Sequence, residues 1–484
     1  MPSWKYRWEA YFRTLARRES TVQITSADAS RLEITGGFSV IVAERVLGLA
    51  RSLGVWQQWE NLQVGNVTKR CTSYTPDQRI AALIAGLACG LRGIAPGNRL
   101  LRSSSAIRGH LGERFPDQGT IHRWLQQVTG LQAAALRRHL HSVVREHGRF
   151  HQELWSDRML YVDIDGQGLV ARGQRFERAS VGYMDDGLDR GFQRYVAYAG
   201  ETHEVLDELL VSGGQNLLVV LSEIVSGLNE IFMREERGHV VLRTDSHGCS
   251  VKNIRLMRSA GYHYLCPLYG HKAMERIKEH VQGLRANWFQ YTDSKGQVHK
   301  IRYWVVRNWQ LRDHRHKHTV RTHATLYHDA ASVQRPWTAL VSDLKRHIGR
   351  RGWEHYHERS GTIEEYNDQS ERAYHLDVMR SGNHDGLNIV HTLVALCWNL
   401  TRWATEELVL PPSYAPSTDG EYWLPAGNLD MSQLLERAAH SGLRLYRAGP
   451  RAILEVENTA HAPESRAWLA WLHRPTQQRL RLTG

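Results

Sequence analysis

The spacing of apolar positions changes character several times along the chain, and each change predicts an element. Thr75-Pro76 reads as an N-cap followed by proline at the first helical position, and Ile80, Leu83, Ile84 and Leu87 then follow one helical stripe. Pro116-Asp117-Gln118-Gly119-Thr120 leads into a second such helix, with Ile121, Trp124, Leu125 and Val128 at the same spacing. From Met159 the period drops to two. Leu160, Val162 and Ile164 share one face of a strand, and Tyr161, Asp163 and Asp165 share the other. Further strands are expected over 192–198 and 204–211. A helix follows over 216–234, apolar at Leu217, Val220, Leu221, Ile224, Leu228 and Ile231. A strand over 239–245 is closed by Ser246-His247-Gly248. Ser250 caps another helix, Gly261 ends it, and 262–265 reads as one more strand.

The stretch from about 267 to 351 interrupts this order. It holds an expected hairpin, with strands over 288–291 and 298–309 around Asp293-Ser294-Lys295-Gly296. Helices resume near Thr362 and run through 391–398. Pro411-Pro412 marks a linker, and the tail shows a short helix near Leu434 and a strand over 452–456. The expected organisation is an all-helical domain over 1–150, an α/β domain over 151–410 with a β-rich insertion at about 267–351, and a C-terminal extension over 411–484 with no assigned role. A length of 484 residues agrees with that number of domains, at roughly 150 residues each.

Composition narrows the class. Hydrophobic residues make up 42 % of the chain and charged residues 23 %, which excludes a disordered tail, a fibre or a disulfide miniprotein. The formal net charge is +12, with 27 histidines besides, and that balance points to a polyanionic partner, most simply nucleic acid. The charge has a location. Residues 99–150 carry nine arginines and three acids, and residues 301–351 carry eleven Lys or Arg and three acids. A basic helical unit suits DNA binding through a helix-turn-helix-like element, with Arg123 a candidate contact. A solvated basic face accounts for it equally well. Cys71, Cys89, Cys249, Cys266 and Cys397 are scattered and form no C-x-x-C pair, so reduced thiols and no zinc knuckle are expected. No apolar signal core opens the chain, and the longest apolar stretch, 80–91, is broken by Gly86 and Gly90. A cytoplasmic protein with no membrane partner is the expectation.

Three acids stand out by context. Asp165 ends the first strand, Asp245 ends the fourth, and Glu364 opens a late helix. An Asp before a strand-end turn often serves only nearby backbone N–H groups. In combination, acids on neighbouring strand ends and a packed helix can converge on one point, where a cation must neutralise them. Hard oxygen ligands favour Mg²⁺, and two such ions about 4 Å apart can clamp both oxygens of an in-line phosphoryl displacement. The order β-β-β-α-β-α-β, insertion, α is that of a ribonuclease-H-like core.

The segments YVDIDGQG (161–168), RTDSHGCS (243–250), GTIEEYNDQSERAYHLDVM (361–379) and HTLVALCWNLTRW (391–403) carry a family resemblance in their order and spacing. The chain resembles the bacterial insertion-sequence transposases of the DDE type, among them those with a β-rich insertion between the second Asp and the Glu. The stretches YTPDQRIAALIAGLACGL (74–91) and FPDQGTIHRWL (115–125) are similar to that family's N-terminal region. The resemblance covers about 20–410 and not the tail.

It implies that Asp165, Asp245 and Glu364 form the catalytic, metal-binding triad, with two Mg²⁺ ions for which Mn²⁺ is expected to substitute. It implies terminal inverted repeats and target DNA as partners, cleavage followed by joining of 3′ ends, a homodimer in the active complex, and residence on the nucleoid when bound to DNA. Asp163 shares a face with Asp165 and stays open as the ligand. Glu365 adjoins Glu364, but Thr362-x-x-Glu365 fits a capping box, which would give Glu365 a structural task. Many relatives set Tyr, Arg, Glu and Lys at fixed spacings around the catalytic Glu. Here Tyr356 and Arg359 are present, the step from Arg359 to Glu364 is one residue too long, and the Lys position is Glu371 with Arg372 beside it. Arg359 and Arg372 are thus the candidate phosphate contacts. In relatives an inserted Trp stacks on a flipped base during DNA hairpin formation, which makes Trp304 and Trp309 candidates. His314-x-His316-x-His318 is read as a basic DNA-facing loop rather than a metal site, given Arg312, Arg315 and Lys317 around it.

Overall fold

The structure is a computed structural model. It describes residues 40–62 and 74–406 apart from 103, 113, 157, 172, 174, 185–186, 293–295, 313–317, 333–335, 377 and 379, and then 409–410, 424–425, 430–439, 443–448 and 451–456. Cys71, the hairpin turn at 293–295, His314, His316 and most of the tail therefore lie outside the described residues.

Every described element before the first strand is a helix: α1 (Ile41–Ser52), α2 (Val55–Asn61), α3 (Pro76–Ala88), α4 (Ala95–Leu100), α5 (Ser105–His110), α6 (Gln118–Gln127), α7 (Gly130–His147) and α8 (Phe150–Trp155). Their starts follow the expected chemistry. Thr75 and Gln78 close a capping box ahead of Pro76, and the Asp117 carboxylate accepts the Thr120 N–H at 2.7 Å. The stripes Ile80, Leu83, Ile84, Leu87 and Ile121, Trp124, Leu125 are buried.

The strands then arrive in the expected order, with one addition: β1 (Leu160–Val170), β2 (Ser180–Met184), β3 (Gly187–Ala199), β4 (Glu204–Ser212), α9 (Leu217–Ile231), β5 (Val240–Thr244), α10 (Val251–Ala260) and β6 (His263–Pro267). Short β2 is the addition. Ser250 caps α10 by accepting the Asn253 N–H, and Gly261 ends it at φ +97°. The insertion contains α11 (His271–Val281), β7 (Asn287–Thr292), β8 (Val298–Arg312), β9 (Thr319–Asp329) and β10 (Trp337–Ser342). It is not a separate body, because β10 pairs antiparallel with β6. One ten-stranded sheet results, in the order β2-β3-β1-β5-β6-β10-β9-β8-β7, with β4 also on β3. Helices α12 (Arg350–His357), α13 (Ile363–Tyr374) and α14 (His384–Thr405) follow, and the tail adds α15 (Met431–Ala439) and two short hairpins.

The main apolar core runs from Val40 to Leu435 through the helices and the sheet, so packing does not break at 150, and a smaller cluster including Tyr161, Val241, Leu265, Phe289 and Trp353 packs apart from it. The axis of the main core is α14, buried along almost its whole length between β4 and helices α1, α3 and α7. Two asparagines make that burial possible. Asn399 exchanges both hydrogen bonds with the Val205 backbone at 2.8 and 2.9 Å, and Asn388 does the same for Leu210 at 3.1 and 3.3 Å. Backbone groups of β4 that would otherwise be buried without partners are thereby satisfied. Buried Glu204 joins helices to sheet in the same way. Its carboxylate accepts the Arg149 and Phe150 N–H groups at the start of α8, and the Trp403 indole N–H at 2.7 Å. No helix among the described residues is long and apolar enough to cross a membrane.

Candidate acidic centre

Strands β1 and β5 run parallel, with Asp163 opposite Arg243 and Ile164 opposite Thr244. One step further, Asp165 and Asp245 stand side by side where the β1–β5 pairing stops; Asp245 lies just past β5, but Asp165 is within β1, which continues to Val170 instead of ending there as expected. The two carboxylates feel each other. Burial pushes the Asp165 carboxyl up, Arg359 opposes that, and the charge of Asp245 raises it further. Arg359 Nη2 lies 2.5 Å from Asp165 Oδ1 and donates to the Ile164 carbonyl at 3.3 Å. Asp245 is turned by its own backbone. Its Oδ1 accepts the His247 and Gly248 N–H groups at 2.9 and 3.3 Å, and its Oδ2 faces His247 Nδ1 at 2.9 Å. The hydrogen bond from Asp245 raises the His247 pKa against a smaller burial effect.

Glu364 enters the same field from the first turn of α13. Burial raises its carboxyl, Arg359 lowers it, and Asp165 and Asp163 raise it again. Glu365 is engaged differently, accepting the Gln369 side-chain amide at 2.5 Å. The expected capping box is not formed. Thr362 is the N-cap residue but makes no cap bond. Its hydroxyl instead donates to Asp163 Oδ2 at 2.6 Å, a wholly buried acceptor. Asp163 is fully engaged. Arg243 grips it with two bonds, Nε to Oδ1 at 2.6 Å and Nη2 to Oδ2 at 2.8 Å, and lies over the Tyr161 ring at 4.8 Å. Of the two candidates on β1, Asp165 therefore faces the centre and Asp163 braces it from inside.

Several expected contacts are placed elsewhere. Arg359 is nearly buried and committed to Asp165. Arg372 pairs with Asp368 and with Asp430, the latter at 3.0 Å, so it ties α13 to the start of α15. Neither is a free phosphate donor in this arrangement. Trp304 donates to the Leu284 carbonyl at 3.1 Å and packs 5.7 Å from Trp337, while Trp309 meets His280 of α11 edge-on at 5.6 Å. Both rings are half-buried against the core, because the side of β8 that carries them is the one α11 covers. Among the described tryptophans of the insertion, the exposed one is Trp288 on edge strand β7, 59 % accessible, with Lys300 Nζ 4.6 Å over it. Arg123 is exposed on α6, and Arg138 and Arg145 are exposed on α7. Arg137 instead pairs with Asp207 and Glu223.

Among the described residues, no three His, Cys, Asp or Glu side chains are gathered closely enough to form one ion's ligand set. The donor chemistry nonetheless suits a hard divalent cation. Carboxylates from β1, the end of β5 and α13 push against one another, and one guanidinium supplies their counter-charge.

No protein-family profile matches the chain, and no curated protein sequence matches it. Among solved structures, a cryo-EM structure of a piggyBac transposase synaptic complex with hairpin DNA superposes with a TM-score of 0.37 and 11 % identity, covering 92 % of this chain and 84 % of that one. A likeness that loose carries no functional argument. The functional reading rests on the chain's own residues.

Proposed function

We propose that the chain is a metal-dependent DNA transposase with a ribonuclease-H-like catalytic core, which cuts DNA at terminal inverted repeats and joins the 3′ ends to target DNA. What supports this reading is that Asp165 feels the charge of Asp245 across the β1–β5 pair, and Glu364 on α13 feels that of Asp165. These three would hold two Mg²⁺ ions, with Mn²⁺ able to replace them. When bound there, such ions supply an activated water or 3′-hydroxyl and neutralise charge on the phosphoryl group in transfer.

The remaining tasks fall to the chain. His247 and its backbone neighbours hold the Asp245 carboxylate in one orientation. The Asp163–Arg243–Thr362 network fixes the start of α13 against β1, and so the reach of Glu364. Exposed Arg123, Arg138 and Arg145, with Lys300 beside Trp288, would contact phosphates and an unpaired base. Synapsis of two DNA ends calls for two copies in the active complex.

The test is incubation with linear DNA carrying the flanking repeats and target plasmid in Mg²⁺. Joined product supports the transposase. Cleavage without joining assigns a ribonuclease-H-like nuclease, and binding without cleavage assigns an inactive DNA-binding relative. Asp245→Asn is expected to keep DNA binding and lose cleavage by at least about a hundredfold, since charge neutralisation at such a site is worth several kcal/mol. Undiminished cutting by that variant would refute the triad.

A further inference from the structure

We infer that Arg194 is a positioning residue that sets the separation of Asp165 and Glu364, an inference that rests on the proposed reading of those two carboxylates. Arg194 lies on β3, fully buried, opposite Gln167 of β1 and Leu210 of β4. Its guanidinium reaches three elements. Nε and Nη2 grip Glu208 of β4 at 2.7 and 3.1 Å. Nη2 also donates to the Tyr366 hydroxyl at 2.8 Å, and Nη1 to Ser370 Oγ at 3.0 Å, both on α13. Nη1 donates as well to Gln167 Oε1 at 3.3 Å, while the amide of Gln167 donates to Glu371 of α13 at 2.9 Å.

The placement gives the network its consequence. Gln167 is two residues beyond Asp165, on the same face of β1, and Tyr366 is two residues beyond Glu364 on α13. One planar fork thus spans the strand and the helix that carry two of the three acids. A buried ion pair is a poor source of stability, because desolvation cancels much of its attraction and apolar residues of similar size would serve as well. Its use is geometric. An apolar helix face can shift or rotate on a sheet at little cost, whereas a guanidinium with fixed donor directions admits one register. Ligand carboxylates need positions held within about half an ångström, and loss of supporting hydrogen bonds at metal sites typically lowers affinity 10–100-fold.

The test severs the α13 end of the fork, together with the bond the Tyr366 hydroxyl donates to Glu208 at 3.1 Å. Tyr366→Phe combined with Ser370→Ala leaves Arg194, Glu208 and His391 joined, since His391 Nδ1 lies 2.9 Å from Glu208. Mn²⁺ binding is read by electron paramagnetic resonance alongside thermal melting, for the wild type, this double variant, Arg194→Lys and Asp165→Asn. The expected result is a rise of about tenfold or more in the half-saturating Mn²⁺ concentration for the double variant, with the melting temperature little changed and DNA nicking recovered at saturating Mn²⁺. Arg194→Lys keeps the charge and loses the fork, so it should shift in the same direction. It decides the matter if the double variant fails to fold. Wild-type Mn²⁺ affinity in both, with only the melting temperature lowered, overturns the inference while a loss in Asp165→Asn still supports the acidic centre. If Asp165→Asn binds Mn²⁺ as the wild type does, the centre and the inference fall together.

Discussion

Arg359 Nη2 rests 2.5 Å from Asp165 Oδ1, so a nearly buried guanidinium supplies the positive charge that the acidic centre requires. Removing it leaves a desolvated carboxylate with neighbouring acids and no counter-ion. Breaking a buried pair from one side costs about 3–5 kcal/mol. Arg359→Gln is therefore expected to melt well below the wild type in EDTA. Saturating Mn²⁺ should restore more stability to the variant than to the wild type, because the cation then replaces the lost charge. Equal Mn²⁺ stabilisation of the two proteins would mean that Arg359 and the cation answer to different carboxylates.

The insertion's tryptophans separate into two kinds. Trp288 is exposed under Lys300, while Trp304 and Trp309 pack beside Trp337 and under α11. Trp288→Ala should leave the melting temperature unchanged and weaken binding of single-stranded or hairpin-ended DNA by about 1–3 kcal/mol. Trp304→Ala should do the reverse, lowering stability first. A DNA-binding loss in Trp304→Ala at unchanged stability would return the stacking role to that residue.

Local chemistry made much of this legible. Thr75-Pro76, Asp117, Ser250 and Gly261 each specify a helix end without help from distant residues, and the alternation over 160–164 fixes β1 and its faces. Asp245 and Glu364 stood out because a strand end and a helix start announce themselves, whereas Asp165 lies within β1, which runs on to Val170. What lay beyond the sequence was pairing at long range. Asp163 shares a face of β1 with Asp165, and only the parallel register that sets Arg243 opposite Asp163 distinguishes brace from centre. Thr362 fits a capping box until Asp163, 199 positions away, claims its hydroxyl. Strands β9 and β10 carry His, Arg and Thr among their apolar residues and become strands by joining the sheet beside β6. Arg194 gave no local signal, since its partners come from β1, β4 and α13.

Gly166 follows Asp165 at a point where space is decisive. A Cβ there would lie 2.5 Å from Cε1 of Tyr195, whose hydroxyl is anchored on the Gln215 carbonyl at 3.1 Å. The ring cannot simply swing aside. Gly166→Ala should cost about 1–3 kcal/mol through overpacking and disturb the strand next to Asp165. Tyr195→Leu in the same chain should recover part of that loss, which a double-mutant cycle of melting curves would measure. Full additivity of the two changes would show that the ring is not what excludes a side chain.

His139 links the helical segment to pH. It is buried, and its Nε2 lies 2.9 Å from the Trp59 indole nitrogen, a bond in which the indole N–H donates and only a neutral imidazole can accept. Burial lowers its pKa from 6.5 to about 4. The sign follows from which state takes the proton first. Above about pH 6.5 the residue is neutral in both states and its contribution is complete. As pH falls below that, the unfolded chain binds a proton that the folded chain refuses, so stability declines until the folded group titrates near 4. The interval corresponds to roughly 3 kcal/mol. His347, lowered to about 3 by burial and then by the charge of His355, adds a slope in the same window. His139→Gln keeps an acceptor for Trp59 and removes the titration. Its melting temperature should fall less steeply than the wild type's between about pH 6.5 and 4. Parallel curves for the two proteins would mean that His139 carries its proton in the folded state, and that the indole must bond elsewhere.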